Sequence, residues 1–570
     1  MKTIRDPDQG RLFDPFSGVI GATGWRQIEQ GWQGLLRHAV LKRLPAEQLG
    51  DDLSEALGRP SKELYAMCGL LLIREFHDWT VPQAHEAILF RSDVQYALNL
   101  EPGVEISQRT IERYIARLYD DESLAGELFV TLTDCLVGKL EISVKKQRLD
   151  STHVLSDMAV FGRARMMGVA LKRFLTAVEK YHPEAMDGVP AELRERYLKV
   201  SESQVFGGAR TSDERRQARG RAAEDMHQVI GVFADHAVIS AWKRYGLLVT
   251  MFEQQCELVE DRVELKKSAG GHALQNTSDP DATFCGHKGA GYQVQLSETC
   301  DEENEVNLIV SAQVETAAES DADAVEKVLA DEAQRDCLPE ELLADAGYGG
   351  DKNYQRAQAE GIDLVSPVPG GAKYDAEKIG FDKFAVTETE SGLQVTSCPA
   401  GHAPKQSKYN ASTDHMSITM DAAVCRACPL QERCPARLKT GKRGGVAAKV
   451  YFEMREYRAG VRRAAEQGES FRRRYRSRAG IEGTNGSLKR RLGLGRLRVR
   501  GRPAVSSVLL LKLAGWNLLR ASVTKKFRAL IAALMDQLRN PGGLGALFRV
   551  ALSHQLPRRR LNARPFPLAA

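Results

Sequence analysis

At 570 residues the chain exceeds one ordinary domain and has room for about three or four. Its 43% hydrophobic and 27% charged residues exclude a disordered or fibrous protein. Lys and Arg number 80 against 75 Asp and Glu, a net +5 that names no partner, yet Phe471 to Arg502 alone carries eleven Arg and one Lys against one acid, Glu482, a local +11.

The opening Met1-Lys2-Thr3-Ile4-Arg5-Asp6 lacks the apolar run of a secretory signal. Residues 1–140 read as an all-α N-terminal domain, expected to bind DNA. Leu64, Met67, Cys68, Leu71 and Leu72 recur at helical spacing. Ser107 is placed to cap a helix through Leu118, with Ile111, Tyr114, Ile115 and Leu118 on one face. Arg109, Arg113 and Arg117 form a stripe on another face, which suits solvent and DNA phosphates equally.

From about 140 the character changes to α/β. Residues 141–355 read as the first part of a mixed-sheet core, interrupted by a basic helical insertion at about 155–265. Leu140 to Asp150 is the first expected strand, followed by Tyr292 to Leu296, Asn307 to Val314 and Glu341 to Ala344, with a helix over Asp323 to Arg335. Residues 356–455 read as a β-rich insertion built around cysteines. Residues 456–525 turn helical and basic, and 526–570 form a C-terminal helix with a basic tail, Pro557-Arg558-Arg559-Arg560. Val505 to Leu519 is the most lipophilic late stretch, but Lys512 interrupts it and it reads as too short for a bilayer.

Asp150 and Asp345 are expected at the C-terminal ends of strands, where α/β sheets hold their ligands. For each alone, a turn or capping role is the commoner reading. Tyr475, Arg478, Glu482 and Lys489 change the odds, because at about 100° per residue all four project from one narrow helix face. Glu482 would hold a metal ion there. Arg478 and Lys489, with Arg490 and Arg491 beside them, would meet phosphates, and Tyr475 would pack on a sugar or base or bond a phosphate. Gly480, Gly483 and Gly486 each cost about 1 kcal/mol in a helix, so a broken helix is the alternative. Three clustered acids would repel and take up protons without a cation. They suit two Mg²⁺ (or Mn²⁺) ions about 3.5–4 Å apart, an arrangement that stabilises the attacking and leaving oxygens of phosphodiester transfer. Asp281 and Asp351 are rival carboxylates read mainly as caps, and His153 and His287 as structural or DNA-contacting residues.

The spacing Y-x2-R-x3-E-x6-K over Tyr475, Arg478, Glu482 and Lys489 resembles the signature of bacterial insertion-sequence DDE transposases of the YREK type. Leu149-Asp150-Ser151-Thr152-His153-Val154 and Ala344-Asp345-Ala346-Gly347-Tyr348 resemble the two Asp motifs of that family. Gly58-Arg59-Pro60-Ser61 and Ile106 to Glu112 resemble its N-terminal domain, and Ser278 to Ala282, with Lys288 and Gly291-Tyr292, the approach to its second core strand. The resemblance covers most of residues 55 to 515. It implies a ribonuclease-H-like core and a β-rich insertion, for which the 136 residues between Asp345 and Glu482 leave room. It also implies Asp150 as the ligand shared between two ions, a homodimer in the synaptic complex, and a cytoplasmic, DNA-associated protein. The expected function is a transposase that binds the terminal inverted repeats of its element, cuts to free a 3′-OH and joins that end to target DNA. A metal-dependent endonuclease that does not join ends is the alternative, then an inactive DNA-binding derivative, which the presence of all three acids argues against.

Cys398, Cys425, Cys428 and Cys434 form C-x26-C-x2-C-x5-C, a pattern that suits tetrahedral zinc first, then an iron–sulfur cluster or unmetallated thiols. His402 could replace one cysteine. A zinc deaminase would need an upstream H-x-E, which His402-Ala403-Pro404 does not supply. The other cysteines read as buried small hydrophobes, and cysteine usage fits a reducing compartment. Neither a phosphate-binding P-loop nor a dinucleotide fingerprint occurs, so no nucleotide cofactor and no membrane partner are expected.

Overall fold

The computed structural model describes residues 1–539 apart from 8–13, 17, 207, 209–210, 371–377, 391 and 441–444, with side chains through 533. The basic tail at Pro557–Arg560 lies outside the described residues. Among the N-terminal helices are α1 (Leu64–Phe76), α2 (Gln108–Asp120) and α3 (Glu122–Leu140). The Ser107 hydroxyl caps α2 by accepting from Thr110 N, and Ile111, Tyr114, Ile115 and Leu118 form its buried face. Arg117 of the basic stripe is tied to Asp52, whereas Arg109 and Arg113 are exposed.

The first strand, β1 (Lys146–Val154), starts later than the sequence suggests. Leu128, Leu132, Leu136 and Leu140 recur every fourth residue and keep the chain helical until Glu141, whose φ of 50° ends α3. Between β1 and the second core strand come the helices α4 (Arg163–Tyr181), α5 (Ser212–Phe233) and α6 (Lys243–Gln255). They enclose their own apolar cluster, with Phe174, Tyr197, Met226 and Phe233 at its centre.

The sheet is completed by β2 (Gly289–Thr299), β3 (Ile309–Thr316), β4 (Glu341–Ala344) and β5 (Asp363–Val365). Its main order is β3-β2-β1-β4-β5, with β2 antiparallel to β3 and β1 and with β4 and β5 parallel to β1, and a sixth short strand, Thr283–Cys285, pairs antiparallel with the start of β2. Helix α7 (Asp321–Gln334) connects β3 to β4, and α8 (Asp351–Ala359) connects β4 to β5. Leu149, Leu342 and Ala344 pack on one face against Val325, Val328 and Leu329 of α7. Val154, Tyr292, Val294 and Leu296 join the large cluster on the other.

Residues 385–453 hold a hairpin and a four-stranded antiparallel sheet around Met416, Ile418, Val450 and Phe452. Helix α9 (Met454–Glu466) ties this module to the core. Arg458 on it pairs with Asp351 (2.6 Å) and Asp414 (2.6 Å), and Arg462 donates to the carbonyls of Gly349 and Ser366. The chain continues through α10 (Glu469–Tyr475), α11 (Gly480–Arg491) and α12 (Arg502–Ala521). Among the described residues α12 is the one helix long and apolar enough to cross a bilayer, so the lipophilic stretch is longer than its sequence reading. Most of α12 is buried inside the protein against α1, α2 and α3.

Candidate active site

The pairing of β1 with β4 sets up the site. Leu149 and Ala344 are partners in the parallel ladder, so the residues that follow them, Asp150 and Asp345, stand level on adjacent strands. Asp345 emerges at the strand end as expected. Asp150 does not: it lies mid-strand, opposite Leu296, because β1 keeps pairing with β2 through Val154. The Asp345 side chain turns back to accept from Gly347 N (2.8 Å).

Glu482 comes from the first turn of α11. Lys489 lies on the same helix, near its other end, but Tyr475 and Arg478 do not: Tyr475 ends α10 and Arg478 lies in the turn between the two helices. The chain breaks into a 3-10 turn over Arg476–Ala479 between α10 and α11. The cause lies in the sheet. Arg148 on β1 donates from Nη1 to the carbonyl of Ser477 (2.9 Å), and a Cβ on Gly480 would run into its guanidinium. Arg148 is itself pinned by Glu298 on β2, whose other oxygen accepts from Thr484 on α11 (2.8 Å). These three residues fix the helix against the sheet, and their pairing carried no signature in the sequence.

Arg478, in the 3-10 turn, gathers the three acids. Its Nη2 lies 3.2 Å from Asp150 Oδ1 and 3.7 Å from Asp345 Oδ2, and its Nη1 donates to Glu482 Oε1 at 2.7 Å. Exposure grades outward, from 14% for the Asp150 side chain through 39% for Asp345 to 65% for Glu482. Burial raises the pKa of Asp150, Arg478 opposes that, and the charge on Asp345 adds to it. For Arg478, burial would lower the pKa, but Asp150, Tyr475, Asp345 and Glu482 outweigh it. Asn485, one turn after Glu482 and not foreseen from sequence, donates to Asp150 Oδ2 (3.1 Å).

Tyr475 is half-buried. Its ring stacks on Phe471 at 5.5 Å and packs beside Leu343 and Val365. Lys489, Arg490 and Arg491 are exposed at the last turn of α11. The rivals resolve as caps and ties. Asp281 accepts from Arg502 N at the start of α12 (3.0 Å), Asp351 opens α8 and pairs with Arg458, and His153 bonds the Ala290 carbonyl (3.0 Å). His287 is exposed.

Cys398, Cys425, Cys428 and Cys434 line one cavity of about 320 Å³ together with His402. Burial and the neighbouring thiols push Cys425 and Cys434 up, toward the S–H form. Among the described residues no group of three or more His, Cys, Asp or Glu side chains is set to hold a metal ion, at the cysteines or at the carboxylates, so the zinc expectation is without support. At the carboxylates the positive charge is supplied by Arg478.

Residues 397–521 match the family model described as a transposase DDE domain. The match supports a DDE transposase. It takes in Arg478, Glu482, Lys489 and the four cysteines of the cavity, and stops short of Asp150 and Asp345. No curated protein matches the chain.

Proposed function

We propose that the chain is a DNA transposase of a bacterial insertion sequence, of the YREK type, with a ribonuclease-H-like core. It works in the cytoplasm as a homodimer that cuts at the terminal inverted repeats of its element and joins them to target DNA. The observation that carries this reading is the convergence of Asp150, Asp345 and Glu482 on one guanidinium, from two strands and a helix far apart in sequence. The strand order β3-β2-β1-β4-β5 and the transposase DDE match support it further.

The donor chemistry fits Mg²⁺ or Mn²⁺. Three hard carboxylates stand where a cation is already required, and the charge of Asp345 helps to raise the pKa of Asp150. Asp150, Asp345 and Glu482 would hold the ions. Bound there, divalent ions neutralise charge on the attacking and leaving oxygens of an in-line phosphodiester transfer.

The chain's own groups do the rest. Asn485 orients Asp150 through its amide. Arg478, once its carboxylates are satisfied otherwise, turns its guanidinium to the phosphate. Lys489, Arg490 and Arg491 hold the backbone along the exposed end of α11. Tyr475 and Phe471 brace the turn that carries Arg478.

Asp150→Asn and Glu482→Gln should each abolish Mg²⁺-dependent cutting of a supercoiled plasmid that carries the element ends, while end binding in a gel-shift persists. Normal cutting by either variant overturns the site. Cutting without any joined product in the wild-type reaction would replace the transposase by an endonuclease.

A further inference from the structure

The helical insertion carries a groove that the carboxylate site does not use. Helix α4 ends in Lys180 and Tyr181, and α6 opens after Trp242 with Lys243 and Arg244. Between these ends lies a cavity of about 500 Å³, floored by Phe174 and by Ser278 of the loop leading to the sheet. It adjoins a second cavity of about 430 Å³ walled by Tyr181, Trp242 and Arg244.

Two features set this groove apart from an ordinary surface recess. The first is its aromatic wall. Tyr181 is 59% exposed. Its ring stands edge-on to Trp242 at 6.3 Å, and Lys180 Nζ lies 4.9 Å from its centroid. The second is uncompensated charge. The acid of the lining, Glu202, is consumed by Arg173 through bonds of 2.7 and 2.8 Å. Lys180, Lys243 and Arg244 have no acidic partner among the described residues. At the start of α6, Trp242 in the cap position offers the first amide groups no side-chain acceptor.

We propose that this groove binds single-stranded DNA. An unpaired base stacks on Tyr181, and the adjoining phosphates lie against Lys180, Lys243 and Arg244. A duplex hides the faces of its bases, so an exposed ring beside free cations suits a strand with its bases splayed out. An acidic peptide would satisfy the charge but leave the aromatic wall without a role. The groove is separate from the carboxylates and rests on the transposase reading only for DNA, rather than RNA, as the strand.

The test uses the full chain and a fluorescent oligothymidylate, followed by anisotropy. Tyr181→Ala should weaken binding about tenfold and Tyr181→Phe should restore it. Arg244→Ala should lower the salt slope by about one. Affinity for a blunt duplex of the same length should stay unchanged in the tyrosine variants. Equal affinity of wild type and Tyr181→Ala for the oligothymidylate overturns the proposal. So does an equal loss for the duplex, or displacement by polyglutamate at matched charge. Asp150→Asn protein should bind the oligothymidylate as wild type does. Binding that depends on Tyr181 upholds the groove even if the chain proves unable to cut or join DNA.

Discussion

Arg478 and Glu332 meet the same difficulty, an ionisable group drawn out of water, in opposite ways. Arg478 is surrounded by carboxylates and keeps its charge. Glu332, on α7 with 0% exposure, is pushed up to about 8, by burial first and by Asp331 next, with the Ser297 hydroxyl and Arg335 pulling the other way. Its folded pKa therefore lies above its ordinary value, so the native state keeps a proton that the unfolded chain releases. The resulting stabilisation is fully present below the unfolded pKa near 4.5 and is lost as pH rises through about 8. Within that window the slope is at most about 1.4 kcal/mol per pH unit. Denaturant titrations across the window should show wild-type stability falling with pH and Glu332→Gln falling less steeply. Parallel slopes would place the proton elsewhere.

At the scale of elements, the junction of α10 and α11 decides where Glu482 points. Arg148 cannot yield to a larger residue at 480, because Glu298 and the Ser477 carbonyl hold it in place. Gly480→Ala, a change that helix propensity alone would favour, should instead destabilise the protein by about 1–3 kcal/mol through overpacking. Cleavage should drop further than the stability loss explains, which kcat at a temperature well below the melting point would reveal. This junction also marks where the sequence stops being readable. The strand at Glu341–Ala344 and the centre of the second, Tyr292–Leu296, announce themselves as short β-rich runs, although the second extends over Gly289–Thr299, and Asp345 follows from the first of them. The 3-10 turn does not, because its cause is a guanidinium 329 residues away in the chain. Asp150 reads as a strand end for a related reason: the apolar run that opens at Leu140 fades before it, yet Leu140 closes α3, and β1 starts only at Lys146 and runs on past the aspartate through Ser151-Thr152-His153. Asn485 and Thr484 were invisible because their partners, Asp150 and Glu298, lie on other elements.

Across the whole molecule, one apolar cluster runs from Leu35 through α1, α2 and α3 to the sheet, α11 and α12. It passes through the boundary expected near residue 140 without a gap. Each large side chain fully buried there contributes about 1.5–3 kcal/mol, so the N-terminal helices and the Glu482 segment stabilise one another. Lys512 sits at their meeting point with 1% of its side chain exposed. Its ammonium donates to the Glu75 carbonyl at the end of α1 (3.1 Å), to the Leu492 carbonyl just after α11 (2.6 Å) and to Asp78 Oδ1 (2.8 Å). Asp78 is also bound by Arg498, which lies in the stretch between α11 and α12. Lys512→Met fills the same space but leaves two carbonyls without that donor and Asp78 with one cation. The expected cost is about 2–4 kcal/mol, less than for a fully buried pair because Asp78 is part-exposed. In a denaturant titration followed by circular dichroism and by tryptophan fluorescence, the variant should lose stability in a single shared transition. The N-terminal region carries Trp25, Trp32 and Trp79, α12 carries Trp516 and the helical insertion carries Trp242, so the fluorescence signal covers both sides of the contact and the insertion. If the two signals separated, with the N-terminal helices melting first in the wild-type chain, the shared core would be refuted as the unit that holds Glu482 against the sheet.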